Sequence, residues 1–114
     1  MSVAGDDDGA GPTTESQAPE AAAMGELKRQ LRICNRRGLH ARAAAKFVAT
    51  ASKFDAEVLV TKDGSVVTGT SIMGLMMLAA AKGTVIDVTV TGNEAEAALA
   101  ALEELVGNRF NEDE

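Results

Sequence analysis

At 114 residues and net charge −6, the chain allows one domain and repels rather than attracts nucleic acid and anionic membrane. It has no Trp or Tyr and three Phe, so it also lacks stacking platforms for single-stranded nucleic acid. One Cys and one His exclude an intramolecular disulfide and a cysteine-based zinc site, and they argue against a structural metal.

The charge is unevenly placed. Residues 1–25 and 112–114 together carry −8, which leaves Glu26–Asn111 at +2. Residues 1–25 are Gly, Ala, Asp, Pro and Ser/Thr with almost no large apolar side chains, so they are expected to be a disordered acidic tail. The folded domain is expected over residues 26–108, followed by a short acidic tail at 109–114. No stretch has the length of a membrane span or the form of a secretory signal, so no membrane insertion and a cytoplasmic location are expected.

Leu27–Asn35 sets polar Lys28, Gln30 and Arg32 against apolar Leu31 and Ile33, the period of a half-buried strand. From Ala41 to Phe54 the period becomes helical, with Ala44, Phe47, Val48 and Ala51 on one face. Ala56–Thr61 alternates again, Asp63-Gly64 is hairpin chemistry, and Val66–Thr68 makes a third strand. Thr70 or Ser71 is placed to cap a helix from about Ile72 to Ala81, stopped by Gly83. Thr84–Thr91 is a β-branched fourth strand. Asn93 with Glu96 resembles a capping box for a last helix whose apolar stripe is Ala95, Ala98, Leu99, Leu102, Leu105 and Val106. The order βαββαβα, with each strand polar on one face, predicts a two-layer α/β sandwich with an antiparallel sheet and helices on one side.

His40 is the leading functional candidate. It follows Arg36-Arg37-Gly38-Leu39 and stands at the start of the first helix, where unpaired N–H groups and the dipole favour an anion. The same field favours a neutral imidazole, whose lone pair can attack phosphorus. A polar cap or surface histidine is the plainer alternative. Arg42, in the first turn, opposes the dipole unless an anion binds nearby; otherwise it is a solvated charge. Ser71 reads from spacing alone as an N-cap. The helix it starts is over-apolar: Ile72, Leu75, Met76 and Ala79 can face the core, whereas Met73, Met77 and Leu78 project elsewhere. A domain this small cannot bury a helix on every side, so a docking surface is expected there. Cys34 is expected to be a small side chain at a strand end.

Gly38-Leu39-His40-Ala41-Arg42, then Ser71-Ile72-Met73-Gly74-Leu75-Met76 and Lys82-Gly83, resemble the HPr phosphocarrier family of the bacterial phosphotransferase system. The resemblance covers about Leu27–Val106. It implies an open-faced β-sandwich, a four-stranded antiparallel sheet with three helices on one face. It implies that His40 is phosphorylated on Nδ1 by phospho-enzyme I and passes the group to a histidine of an EIIA component. Arg42 would balance the phosphate charge, Ser71 would be the serine modified by HPr kinase/phosphorylase, and Leu39, Ile72, Met73 and Met76 would dock these partners. The implied protein is a monomeric stoichiometric carrier, neither an enzyme on its own nor dependent on a cofactor. The alternative is a regulator of nitrogen or carbon signalling that acts through phosphorylation-dependent binding. Asp55–Val58 and the acidic tail resemble the nitrogen-related branch, while Ser71–Gly74 resembles the sugar-linked forms. Ala43 stands where the family pattern has proline, which relaxes the first turn and restores one N–H donor.

Overall fold

The structure, a computed structural model, describes residues 26–112; the expected acidic tail at 1–25 and the last two residues lie outside them. Four strands, β1 (Leu27–Arg32), β2 (Glu57–Lys62), β3 (Ser65–Thr68) and β4 (Val85–Thr91), form one sheet in the order β1-β4-β2-β3. Every pairing is antiparallel. Between them run α1 (Ala41–Ala51), α2 (Ile72–Met77) and α3 (Ala95–Gly107), in the order βαββαβα.

The sheet is built on alternation. Ile86, Val88 and Val90 of central β4 are fully buried, and Val58 and Val60 of β2 join them on the same face. Leu31 pairs with Ile86, and Val60 pairs with Val88, so the apolar faces of three strands coincide. Against that face pack Phe47 of α1 and the whole expected stripe of α3. The other sheet face carries polar Lys28, Gln30, Thr61, Asp87 and Thr89 around a shallow groove. Asp63 and Gly64 both take positive φ, 50° and 83°, the paired left-handed residues that a two-residue hairpin needs.

Several boundaries differ from the sequence reading. β1 stops at Arg32, but the ladder continues through Ile33, whose N–H donates to Thr84 O at 2.8 Å. The expected capping box at α3 is not formed. Glu94 instead accepts the Asp55 N–H at 2.6 Å and Asn93 donates to the Asp55 carboxylate at 2.9 Å, tying two loops together. α2 ends at Met77 rather than near Ala81, because Ala79 turns left-handed at φ 53°. That turn carries Ala80 inward, where its carbonyl accepts the Leu39 N–H at 2.9 Å.

The packed chain also runs past residue 108, where the sequence placed the domain's end. Arg109, Phe110 and Asn111 take φ of 56°, 55° and 60° in a tight turn. L-residues hold such a conformation only where the surroundings compel it. Here Phe110 is fully buried and its carbonyl accepts a hydrogen bond from Lys46 Nζ at 2.6 Å. Phe110→Ala is expected to lower the unfolding free energy by about 3–4 kcal/mol in urea titration, the loss typical of a large core ring in a small domain.

Candidate functional site

The site begins at Asn35, the single fully buried polar side chain among the described residues. Its Nδ2 donates to Gly38 O at 2.8 Å and so shapes the turn that precedes α1. Gly38 sits at φ 71°, and a Cβ there would stand 2.5 Å from the Ala80 carbonyl oxygen. Only glycine permits this approach, which sets the loop before α1 against the loop after α2.

His40 follows as the N-cap of α1. Its backbone is extended and its carbonyl accepts the Ala44 N–H at 2.8 Å, while its side chain makes no cap bond. α1 starts at Ala41 with Ala43 buried in the first turn, so the helix forms without proline at that position. The imidazole and Arg37, Leu39, Ala79, Ala80 and Ala81 line an open pocket of about 220 Å³.

The ring is not free on both sides. Its Nε2 lies 2.5 Å from Glu112 Oε2, with both side chains mostly buried. Glu112 Oε1 accepts from Asn35 Nδ2 at 3.1 Å, so one asparagine holds both the turn and the carboxylate. Burial by itself pushes the Glu112 carboxyl up. The hydrogen bonds from His40 and Asn35, with the charges of His40 and Arg37, outweigh it and hold the carboxyl below its ordinary value.

The remaining candidates fall in distinct places. Arg42 is exposed in the first turn and forms no ion pair among the described residues. Ser71 is the N-cap of α2, its Oγ accepting the Gly74 N–H at 3.0 Å. Ile72, Met73 and Met76 are exposed, and so is Met77, at 78%. The spacing had Ile72 and Met76 able to face the core and Leu78 pointing away. In fact Leu75 and Leu78 face inward, since a six-residue helix turned back at Ala79 offers the core only a narrow strip. Leu39, expected on the docking face, is a correction too: it is buried in the core. Its backbone is held by Ala80 and its side chain packs inward, leaving only an edge at the pocket.

Asn35, Lys46, Phe110 and Glu112 were not singled out from the sequence. One signal did exist: Phe110 is the sole large apolar residue after Gly107, an odd choice for a solvated tail. Cys34 Sγ donates to Val106 O at 3.1 Å, a packing role, and beside it Arg36, Lys82 and Arg109 make a basic cleft. Among the described residues no group of three or more His, Cys, Asp or Glu is placed to hold a metal.

Comparison with known proteins places this arrangement. A family model described as "PTS HPr component phosphorylation site" matches residues 27–108. The phosphocarrier protein HPr of Neisseria meningitidis serogroup A is 54% identical over 88 residues, covering 77% of this chain and 99% of that protein. The phosphocarrier protein NPr of Shewanella violacea is 43% identical over 89 residues, with coverage of 78% and 98%. A crystal structure of HPr from Thermoanaerobacter tengcongensis superposes with a TM-score of 0.74 at 41% identity, covering 77% of this chain and 99% of that one.

The Glu112 contact has a definite pH dependence. A carboxyl whose folded pKa is depressed stabilises the closed C-terminal turn fully above its ordinary value of 4.5. That stabilisation is lost as pH falls through the depressed value. Amide hydrogen exchange at Phe110–Glu112 is expected to accelerate over that acid range relative to the β4 amides, and Glu112→Gln is expected to remove the difference.

Proposed function

Because the chain belongs to the HPr family of phosphocarrier proteins, we propose that His40 accepts a phosphoryl group from phospho-enzyme I and passes it to a histidine of an EIIA component. The observation that carries this reading is the position of His40. It caps an eleven-residue helix whose first N–H groups have no intrahelical acceptor, and it opens on a pocket shared with the end of α2. The transfer is chiefly a matter of placing phosphorus in line between two nitrogens and stabilising charge on its oxygens. The protein is then a stoichiometric carrier in the cytoplasm, modified and restored by its partners.

Arg42 serves as the mobile charge. Exposed and uncommitted to any ion pair among the described residues, it can close on phosphate oxygens after transfer. Ile72, Met73, Met76 and Met77 form the docking face beside the pocket, where flexible thioethers suit more than one partner. Arg37 lines the His40 pocket and Arg42 stands in the first turn of α1, and this positive charge suits an acidic partner surface. Leu39 acts from beneath, holding the loop rather than touching a partner.

Ser71 is the regulatory site in this reading. Phosphate on Oγ would add about −1.5 to −2 charges at the start of α2, beside the methionine face. Docking weakens by like-charge repulsion and by the desolvation of the added charge. A second reading, regulation of nitrogen or carbon signalling through phosphorylation-dependent binding, draws support from the match to an NPr as well as to HPr proteins.

Two measurements test the proposal. Incubation with enzyme I and phosphoenolpyruvate is expected to yield an acid-labile, base-stable phosphate that His40→Ala lacks. A label that persists in His40→Ala would sink it. Ser71→Asp is expected to slow transfer from enzyme I roughly tenfold or more, the effect of like charge at a docking face. Equal rates would remove Ser71 from regulation.

A further inference from the structure

We propose that Glu112 is a positioning residue for phosphoryl transfer: it holds the His40 ring through Nε2, presents Nδ1 as the nucleophile, and faces the positive charge that the ring acquires. The proposal rests on the carrier reading above and specifies how its histidine is prepared.

The argument starts from what each partner can donate. An ionised carboxylate only accepts hydrogen bonds, so the 2.5 Å contact requires the proton to be on Nε2. In the neutral imidazole, the form that can attack phosphorus, Nε2–H is then the single N–H and the lone pair is on Nδ1. No hydrogen bond among the described residues engages Nδ1, and the side chain does not cap its own helix. One nitrogen is fixed and the other left open.

The backbone adds an independent reason. Three consecutive left-handed residues, Arg109–Asn111, precede Glu112. A chain leaving α3 has no local motive for such a path. The path is secured from inside by buried Phe110 and from α1 by Lys46 on the Phe110 carbonyl. Its result is that Glu112 reaches both Asn35 and His40, 77 and 72 residues earlier in the chain.

The step balances without an added reactant. The Nδ1 lone pair forms the new N–P bond while phosphorus leaves the donor nitrogen, whose electron pair stays with the donor. No proton moves, and the His40 ring, still carrying Nε2–H, becomes cationic. The Glu112 carboxylate lies against that proton and stabilises the charge, as the orienting acid of a nucleophile–base–acid triad does. In the outward step the protonated ring departs as neutral imidazole, so the same contact serves both directions. Among the described residues, the other charged groups at this site are Arg37 on the pocket rim and Arg42 in the first turn; the end of α2 lines the pocket with Ala79, Ala80 and Ala81. Glu112 is the one negative group in this set of described residues.

The test uses the full chain with Glu112→Gln and Glu112→Asp. Ring ¹⁵N shifts of unphosphorylated wild type at neutral pH should report Nε2–H as the dominant tautomer. Glu112→Gln should mix the tautomers and slow phosphorylation by enzyme I about tenfold or more, the value of a charge-assisted hydrogen bond. Glu112→Asp should recover part of both. Unchanged ¹⁵N shifts in Glu112→Gln would overturn the proposal, even if the rate fell, because a merely structural role moves rate without tautomer. Wild type that shows the Nε2–H signature yet takes up no phosphate would overturn the carrier reading, and with it the transfer role of Glu112.

Discussion

One backbone hydrogen bond, from the Leu39 N–H to the Ala80 carbonyl, joins the start of α1 to the end of α2, and the site depends on it. It forms because Gly38 leaves room for the Ala80 oxygen where any Cβ would collide. Its consequences spread in both directions. On one side Leu39 is drawn into the core and His40 is left at the helix start. On the other Ala79 turns left-handed and α2 is cut to six residues. The cut helix buries Leu75 and Leu78 and leaves Met73 and Met77 outside. The pocket and the exposed methionine face are therefore products of the same constraint.

The second organising element is electrostatic. The histidine stands where a helix start and several arginines all favour negative charge, and the unmodified protein answers with Glu112. The carboxylate survives burial because each oxygen has a donor, Asn35 on one and His40 on the other. A buried asparagine thus does two jobs. Its Nδ2 donates to the Gly38 carbonyl, closing the turn, and to the Glu112 carboxylate that meets the imidazole. Arg42 remains outside this arrangement, exposed and in no ion pair among the described residues.

Much of this was legible from residue order. Alternation in Thr84–Thr91 and the stripe from Ala95 to Val106 identified both faces of the central strand and the last helix, because burial follows the period of the backbone. Asp63-Gly64 specified its turn, and Ser71 its cap, through chemistry confined to four residues. Gly38-Leu39-His40-Ala41-Arg42 marked the candidate site because a glycine turn, an imidazole and a helix start are adjacent in sequence. The misplaced boundaries share a different cause. The capping box of Asn93 with Glu96 was locally plausible, but Asp55 from another loop took the Asn93 side chain and gave its N–H to Glu94.

Sequence by itself determined the elements, their order, the sheet's buried face and the place of the histidine at a helix start, since each is a property of neighbouring residues. Only the tertiary structure decided where α2 stops, that Leu39 lies inside, and that the chain after 108 returns to the site. Those outcomes hang on contacts between residues some 40 to 77 positions apart, Leu39 with Ala80 and Asn35 with Glu112. No period or local propensity records such contacts, because the free energy that selects them exists only once the sheet has brought the partners together.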